Sequence, residues 1–305
     1  MQITKLHSGF ISEIADGLFP MENGNPTVKG EFFKLRYHPD NYYFENKNSN
    51  DNGEAEKTSI CQILKKEGRG DLTNTIQTIS RKVRDCLLTE YSEEIMADIG
   101  EEKVNFIKSP GRGRDFWKNL YQWLWDYQFP RWVEANFLPS LEKQADKNRD
   151  WINFADNMVE VDKLHIPQMA DHQPLKLSLE KPYWAFINLP ESDGYLLLLN
   201  QGVVSRCVVC PSQAFAIDYE LEKIRLLPQK ETLTYELGCR FTFNEVGVEK
   251  FVAIALEKPL DLEWLKPNEE EVAPDLNSER MQELWQELEK QNNWRVYAQE
   301  VEVVG

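Results

Sequence analysis

The chain contains no apolar run near the roughly 18 residues that a bilayer-spanning helix needs. Its start, Met1-Gln-Ile-Thr-Lys-Leu-His7, lacks the basic start followed by an apolar core that marks a secretory leader. Neither a membrane span nor a leader is expected, and the expected location is cytoplasmic. Cysteine is scarce and odd in number: Cys61, Cys86, Cys207, Cys210 and Cys239. That excludes a dense disulfide framework and suggests reduced thiols serving as small buried apolar groups. Histidine is scarcer still, with only His7, His38, His165 and His172.

These shortages limit the chemistry. A structural zinc site needs four ligands. Cys207-x-x-Cys210 has no second pair to complete it, and His165 and His172 stand seven apart. At odd separation within one expected strand, the two cysteines are predicted to point to opposite faces. No Gly-x-Ser-x-Gly elbow occurs, and no cysteine stands in a caspase-like or papain-like context. No residue is therefore assigned a catalytic, cofactor-binding or metal-binding role.

Basic residues are also in short supply, 35 against 51 acidic ones, for a net charge of −16. The deficit is uneven. Residues 1–150 carry 21 Lys and Arg against 24 Asp and Glu, a balance of −3, whereas residues 151–305 carry 14 against 27, a balance of −13. Such a field repels nucleic acid and anionic lipid and accepts basic protein partners. Two basic glycine turns run against the trend, Gly68-Arg-Gly-Asp71 and Gly111-Arg-Gly-Arg-Asp115. Glycine lets backbone amides approach an anion at a helix start, so Arg69, Arg112 and Arg114 are the candidate anion contacts. Neither turn has the lysine and hydroxyl of a phosphate loop.

Aromatic residues are plentiful and locally dense. The N-terminal part is expected to be mostly helical. Leu6, Phe10, Ile14 and Leu18 keep a spacing of four, and Leu72, Ile76, Ile79, Val83 and Leu87 keep spacings of three and four, with Asp71 as the N-cap. Between these, Phe33, Leu35 and Tyr37 alternate with Lys34 and Arg36 as a half-buried strand would. Residues 46–58 hold almost nothing to bury and are expected to form a surface loop. Residues 115–138 form an aromatic helix that Pro130 should end or kink near Phe129, with a second piece interrupted near Pro139. Trp117, Tyr121, Trp125 and Trp132 on this helix are candidate partner-binding residues.

From residue 175 the period changes. Leu175, Leu177 and Leu179 alternate with polar residues, and Tyr183–Asn188, Tyr195–Leu199, Val203–Val209, Ile224–Leu227, Cys239–Phe243 and Phe251–Leu256 predict about seven short strands between turn residues. An acidic, proline-containing stretch follows. A helix then carries Met281, Leu284, Trp285 and Leu288, capped by Asn277 or Ser278, and a tail alternates through Tyr297, Val301 and Val303. The tail is expected to add to a sheet edge, in this molecule or in another, with Trp285 and Tyr297 as further candidate partner contacts. The expected fold is α+β, a mostly helical N-terminal region followed by an antiparallel β-sandwich, a trailing helix and a C-terminal strand. Its expected divisions are 1–165, a linker 166–174, the sandwich 175–265, an acidic linker 266–277, and 278–305.

Within this region, Asp193-Gly-Tyr-Leu-Leu-Leu-Leu-Asn200, Cys210-Pro-Ser212 with Phe215-Ala216, Leu227-Pro-Gln229, Phe241, Gly247-x-Glu249, Val252-Ala-Ile254 and Leu260-x-Leu-x-Trp-Leu265 come in an order that resembles a bacterial domain of unknown function. That domain is common in cyanobacteria and is often fused to, or encoded beside, caspase-like peptidases and protein kinases. The resemblance implies a β-sandwich accessory module in stress or defence signalling and supplies no catalytic residues. The expected function is that of a non-enzymatic adaptor acting by protein binding, as scaffold, inhibitor or substrate of a caspase-like peptidase, with 46–58 and 266–277 as the cleavage candidates. The competing readings are a hydrolase with a pocket between the two parts and a nucleic-acid-binding accessory protein using the basic turns.

Overall fold

The computed structural model describes residues 5–43, 60, 63–64, 76–109, 116–146, 151–156, 175–222, 224 and 226–305. It is an α+β protein with helices in its N-terminal half and most of its strands in the C-terminal half. Two compact units divide it, Met1–Trp132 and Val133–Gly305. The expected linker 166–174 lies outside the described residues, as do loop 46–58, Asp71 and Leu72. The observed division falls earlier, inside the aromatic helix. Among the described residues, no helix is long and apolar enough to cross a membrane.

The first unit is built from α1 (Lys5–Leu18), α2 (Val28–Tyr37), α3 (Ile76–Glu90), α4 (Ser92–Lys108) and α5 (Phe116–Trp123). The expected stripe of α1 appears, rotated slightly, with Leu6, His7, Phe10, Ile11 and Ala15 buried. The strand expected through Phe33 and Tyr37 is corrected to helix α2. Thr27 starts it, its hydroxyl oxygen accepting the Gly30 amide at 3.1 Å. Buried Phe32 and Arg36, and buried Phe33 and Tyr37, are each four apart, which places them on one helical face. The α5 helix continues into a π-helical turn, Leu124–Gln128, where the Phe129 amide bonds to the Leu124 carbonyl. This wide turn sits just before Pro130, so the proline does not end the helix. The next helix, α6 (Phe129–Gln144), also runs through Pro139 rather than breaking there. Pro139 and Ala135, whose carbonyl the proline cannot bond, are both exposed.

The second unit holds two sheets. Strands β1 (Ile152–Ala155), β3 (Trp184–Ile187) and β6 (Leu226–Leu227) form the smaller one, in the order β1-β3-β6. Strands β2 (Leu175–Ser178), β4 (Tyr195–Gln201), β5 (Arg206–Cys210), β7 (Gly247–Leu256) and β8 (Trp294–Val304) form the larger, in the order β2-β8-β7-β4-β5. Both sheets feed one core that includes Ile152, Ala185, Leu227, Leu196, Phe251 and Val301. The larger sheet is mixed rather than wholly antiparallel, because β2 runs parallel to β8. The tail strand β8 is not an edge; it pairs with β2 on one side and β7 on the other. The expected strand Cys239–Phe243 reduces to a single bridge, Tyr183 with Phe241, preceded by the short helix α7 (Leu233–Glu236).

Leu196–Leu199 and Phe251–Leu256 are buried continuously, so both faces of the larger sheet are covered. Phe251 and Ala253 face the smaller sheet, and Lys250, Val252 and Ile254 face the other way. On that second face Lys250 Nζ meets Glu142 of α6 at 3.1 Å, and the Asp146 amide donates to the Val296 carbonyl at 2.8 Å. Helix α8 (Ser278–Lys290), capped by Asn277, joins α6 through a Trp285–Phe137 ring contact at 5.7 Å. The unit is therefore a three-layer stack of small sheet, large sheet and helices.

Candidate binding site

The β4–β5 hairpin turns through Gly202–Ser205, closed by the Gly202 amide on the Ser205 carbonyl at 2.8 Å. Its tip carries Val203 and Val204, 53% and 78% exposed. The start of β7 packs against this tip, and a Cβ built on Gly247 would stand 2.6 Å from Val203 Cγ2. Beneath the tip lies a cavity of about 190 Å³, with Val203 and Val204 on its lip and Phe243 and Phe251 in its wall. Its polar lining includes Asn200, Cys207 and Glu249.

Alternation along β7 sets this lining. Glu249 shares its parity with Phe251 and Ala253, so the carboxylate turns towards the inter-sheet core. Only 7% of the residue is exposed. Asn200 donates an amide hydrogen to Glu249 Oε2 at 3.0 Å. Among the described residues no basic group pairs with this carboxylate. The neighbouring Lys250 faces the helical layer, where it meets Glu142 and Glu300. A buried carboxylate is costly when it lacks a counter-charge.

Cys207 lines the same cavity. Burial pushes its thiol up to about 11, and the Asp275 and Glu249 carboxylates add to the effect. Burial also raises the Cys210 thiol well above its ordinary value, and its Sγ lies 3.6 Å from the Leu196 carbonyl oxygen. The expectation that these cysteines face opposite ways is corrected by a β-bulge. Leu198 pairs with Cys210, Leu199 with Val208 and Asn200 with Cys207, so Val209 is an extra residue and both cysteines share the inner face. Both are free thiols, and among the described residues no His, Cys, Asp and Glu group suits a metal.

Of the candidate partner residues, Trp117, Tyr121 and Trp125 follow one another in ring contact in the first unit, and Phe129 links Trp125 to Trp132. Trp117 is buried under the Arg36 guanidinium, 3.6 Å from its ring centroid, and Tyr297 is 2% exposed on an inner strand with its hydroxyl on Glu191 at 2.7 Å. Neither offers a surface to a partner, which corrects that expectation for both. Trp125 and Trp132 are half-buried, their indole N–H groups donating to the Tyr37 carbonyl and to Glu13, each at 2.9 Å. Tyr121 packs against Tyr42, and burial raises its hydroxyl to about 12. Trp285 is half-buried against Phe137. Arg69, Arg112 and Arg114 lie outside the described residues. The expected acidic linker 266–277 is not free: Asp275 bridges to Cys207, and the Val208 amide bonds to the Pro274 carbonyl at 2.8 Å.

A larger groove of about 630 Å³ passes Glu191 and Arg295, but these two charges pair with each other at 3.1 Å. Glu249 was reachable from sequence as a carboxylate at a buried parity of an apolar strand. The parity became meaningful only once the partner strands were known. Comparison with protein-family models, curated proteins and solved structures finds no match to the chain.

Proposed function

We propose that the chain is a non-catalytic adaptor that holds another protein at the hairpin end of its β unit. The observation that carries this reading is the exposed Val203–Val204 lip over a cavity with aromatic walls. Apolar side chains presented beside a concave surface gain free energy when a partner covers them. The net charge of −16 favours a basic partner and speeds its encounter. The resemblance to a domain encoded beside caspase-like peptidases suggests such a peptidase, or a protein in its pathway, as the partner.

A photo-crosslinking residue at Val204 tests the reading in cells that express the chain naturally. The same residue at Tyr127, in the first unit, serves as the control. A discrete protein adduct from position 204, absent from 127 and lost in Val203→Asp, is expected. Adducts of equal yield at both positions, or none at 204, would count against it.

A further inference from the structure

We infer that the cavity beneath the β4–β5 hairpin receives one lysine side chain of the partner, with its ammonium on Glu249. This deepens the adaptor reading and rests on it. Phe243 and Phe251 give the wall its apolar surface, and of the two carboxylates in the lining Glu249 is buried and Glu245 exposed. A ligand complementary to that pattern has an apolar stem and a cationic tip, as lysine has. A cavity of about 190 Å³ holds one side chain rather than a helix or strand.

The acceptor geometry selects among cations. Asn200 already occupies Oε2 at 3.0 Å, while Oε1 receives no hydrogen bond from the described residues. A guanidinium pairs best with both oxygens of a carboxylate at once, and here it would have to share Oε2 with Asn200. An ammonium is a compact point charge that needs one oxygen. The chain's own neighbouring cation, Lys250, is held on the opposite face of the sheet by Glu142 and Glu300. An ammonium in the cavity therefore supplies the counter-charge that the buried carboxylate otherwise lacks.

The test is a titration of the full chain, with ring-labelled phenylalanine, followed by NMR. The probes are N-acetyl-lysine amide, N-acetyl-norleucine amide, N-acetyl-arginine amide and alanine amide with its free α-amine. The lysine probe should shift Phe243 and Phe251 and bind at least tenfold more tightly than each of the other three. Glu249→Gln should lower its affinity about tenfold and leave the norleucine probe unchanged. Equal binding of lysine and norleucine by the wild-type chain overturns the inference, and this comparison needs no variant to fold. Stronger binding of the arginine or alanine probe also overturns it, as do shifts confined to other rings. The adaptor reading fails separately. If Glu249→Gln still gives the full adduct from position 204, the partner binds there without the lysine contact. If the lysine probe binds as expected and position 204 yields no adduct, the pocket stands and the adaptor reading falls.

Discussion

Gly202 lies against the carboxylate of Glu249, and a Cβ at position 202 would stand 2.8 Å from both carboxylate oxygens. The hairpin thus leaves room for a buried charge by omitting a side chain. Gly202→Ala should push the carboxylate off Asn200 and into the cavity. The expected cost is about 1–2 kcal/mol of stability, with several-fold weaker binding of the lysine probe. Denaturant unfolding and the same NMR titration check both effects. An alanine variant with unchanged affinity would show that the carboxylate position does not matter to the site.

Gly194, the residue before β4, has φ +102°, and a Cβ there would meet the Leu256 carbonyl oxygen at 2.3 Å. Backbone does not yield as a side-chain tip does. The Gly194 carbonyl also accepts the Leu221 amide at 2.9 Å, which ties the loop after β5 to the start of β4. Gly194→Ala should therefore cost at least about 3 kcal/mol, from the left-handed backbone and the clash together. Thermal unfolding measures it. A loss below about 1 kcal/mol would contradict the close approach.

How much of this was legible in the sequence differs by element. The run Leu196–Leu199 announced a buried strand because a strand covered on both faces loses its polar alternation. The trailing helix was legible from Asn277 and the Met281–Leu284–Leu288 stripe. Helix α2 was not, since Phe33, Leu35 and Tyr37 satisfy a period of two while Phe32 and Arg36 bury on a period of four. A buried arginine hides such a face, because its charge here is met by the Asn41 and Tyr42 carbonyls at 3.1 and 2.9 Å. Helix α4 gave little signal: it buries only Ile95, Val104 and Ile107, and Gly100 at φ +81° breaks its course. The site depends on pairings between distant strands. Neither the bulge at Val209 nor the approach of Gly202 to Glu249 has a local signature.

Thiol reactivity separates the cysteines. Cys239 is exposed, whereas Cys207 and Cys210 are held protonated by burial. Thiolate is the reactive form, so a water-soluble alkylating reagent at neutral pH should modify Cys239 first and Cys207 late. The Cys207 rate should keep rising as pH passes 9 and level only near 11. Peptide mapping by mass spectrometry resolves the sites. Early modification of Cys207 would mean that the cavity is wetter and more open than its lining implies.

Asp98 offers a pH test in the first unit. Its carboxylate accepts both guanidinium nitrogens of Arg131, at 2.6 and 2.7 Å, and the Trp123 indole N–H at 3.0 Å. The contacts join α4 to α5 and to the first turn of α6. The Arg131 hydrogen bonds hold the Asp98 carboxyl below its ordinary 3.8, with Trp123 adding to them against the cost of burial. Because the folded chain binds this proton less readily than the unfolded chain, the stabilisation is complete above about pH 5. It is lost as the pH falls through 3.8 towards the lower folded value. Asp98→Asn keeps the shape and removes the charge. It should cost about 1–2 kcal/mol at pH 7, a modest value because Arg131 is half exposed. Its cost should shrink towards zero in acid. Denaturant midpoints for both proteins from pH 7 to pH 3 give the difference directly. A penalty that stays constant across that range would mean that the charge on Asp98 contributes nothing and that the asparagine is felt only through packing.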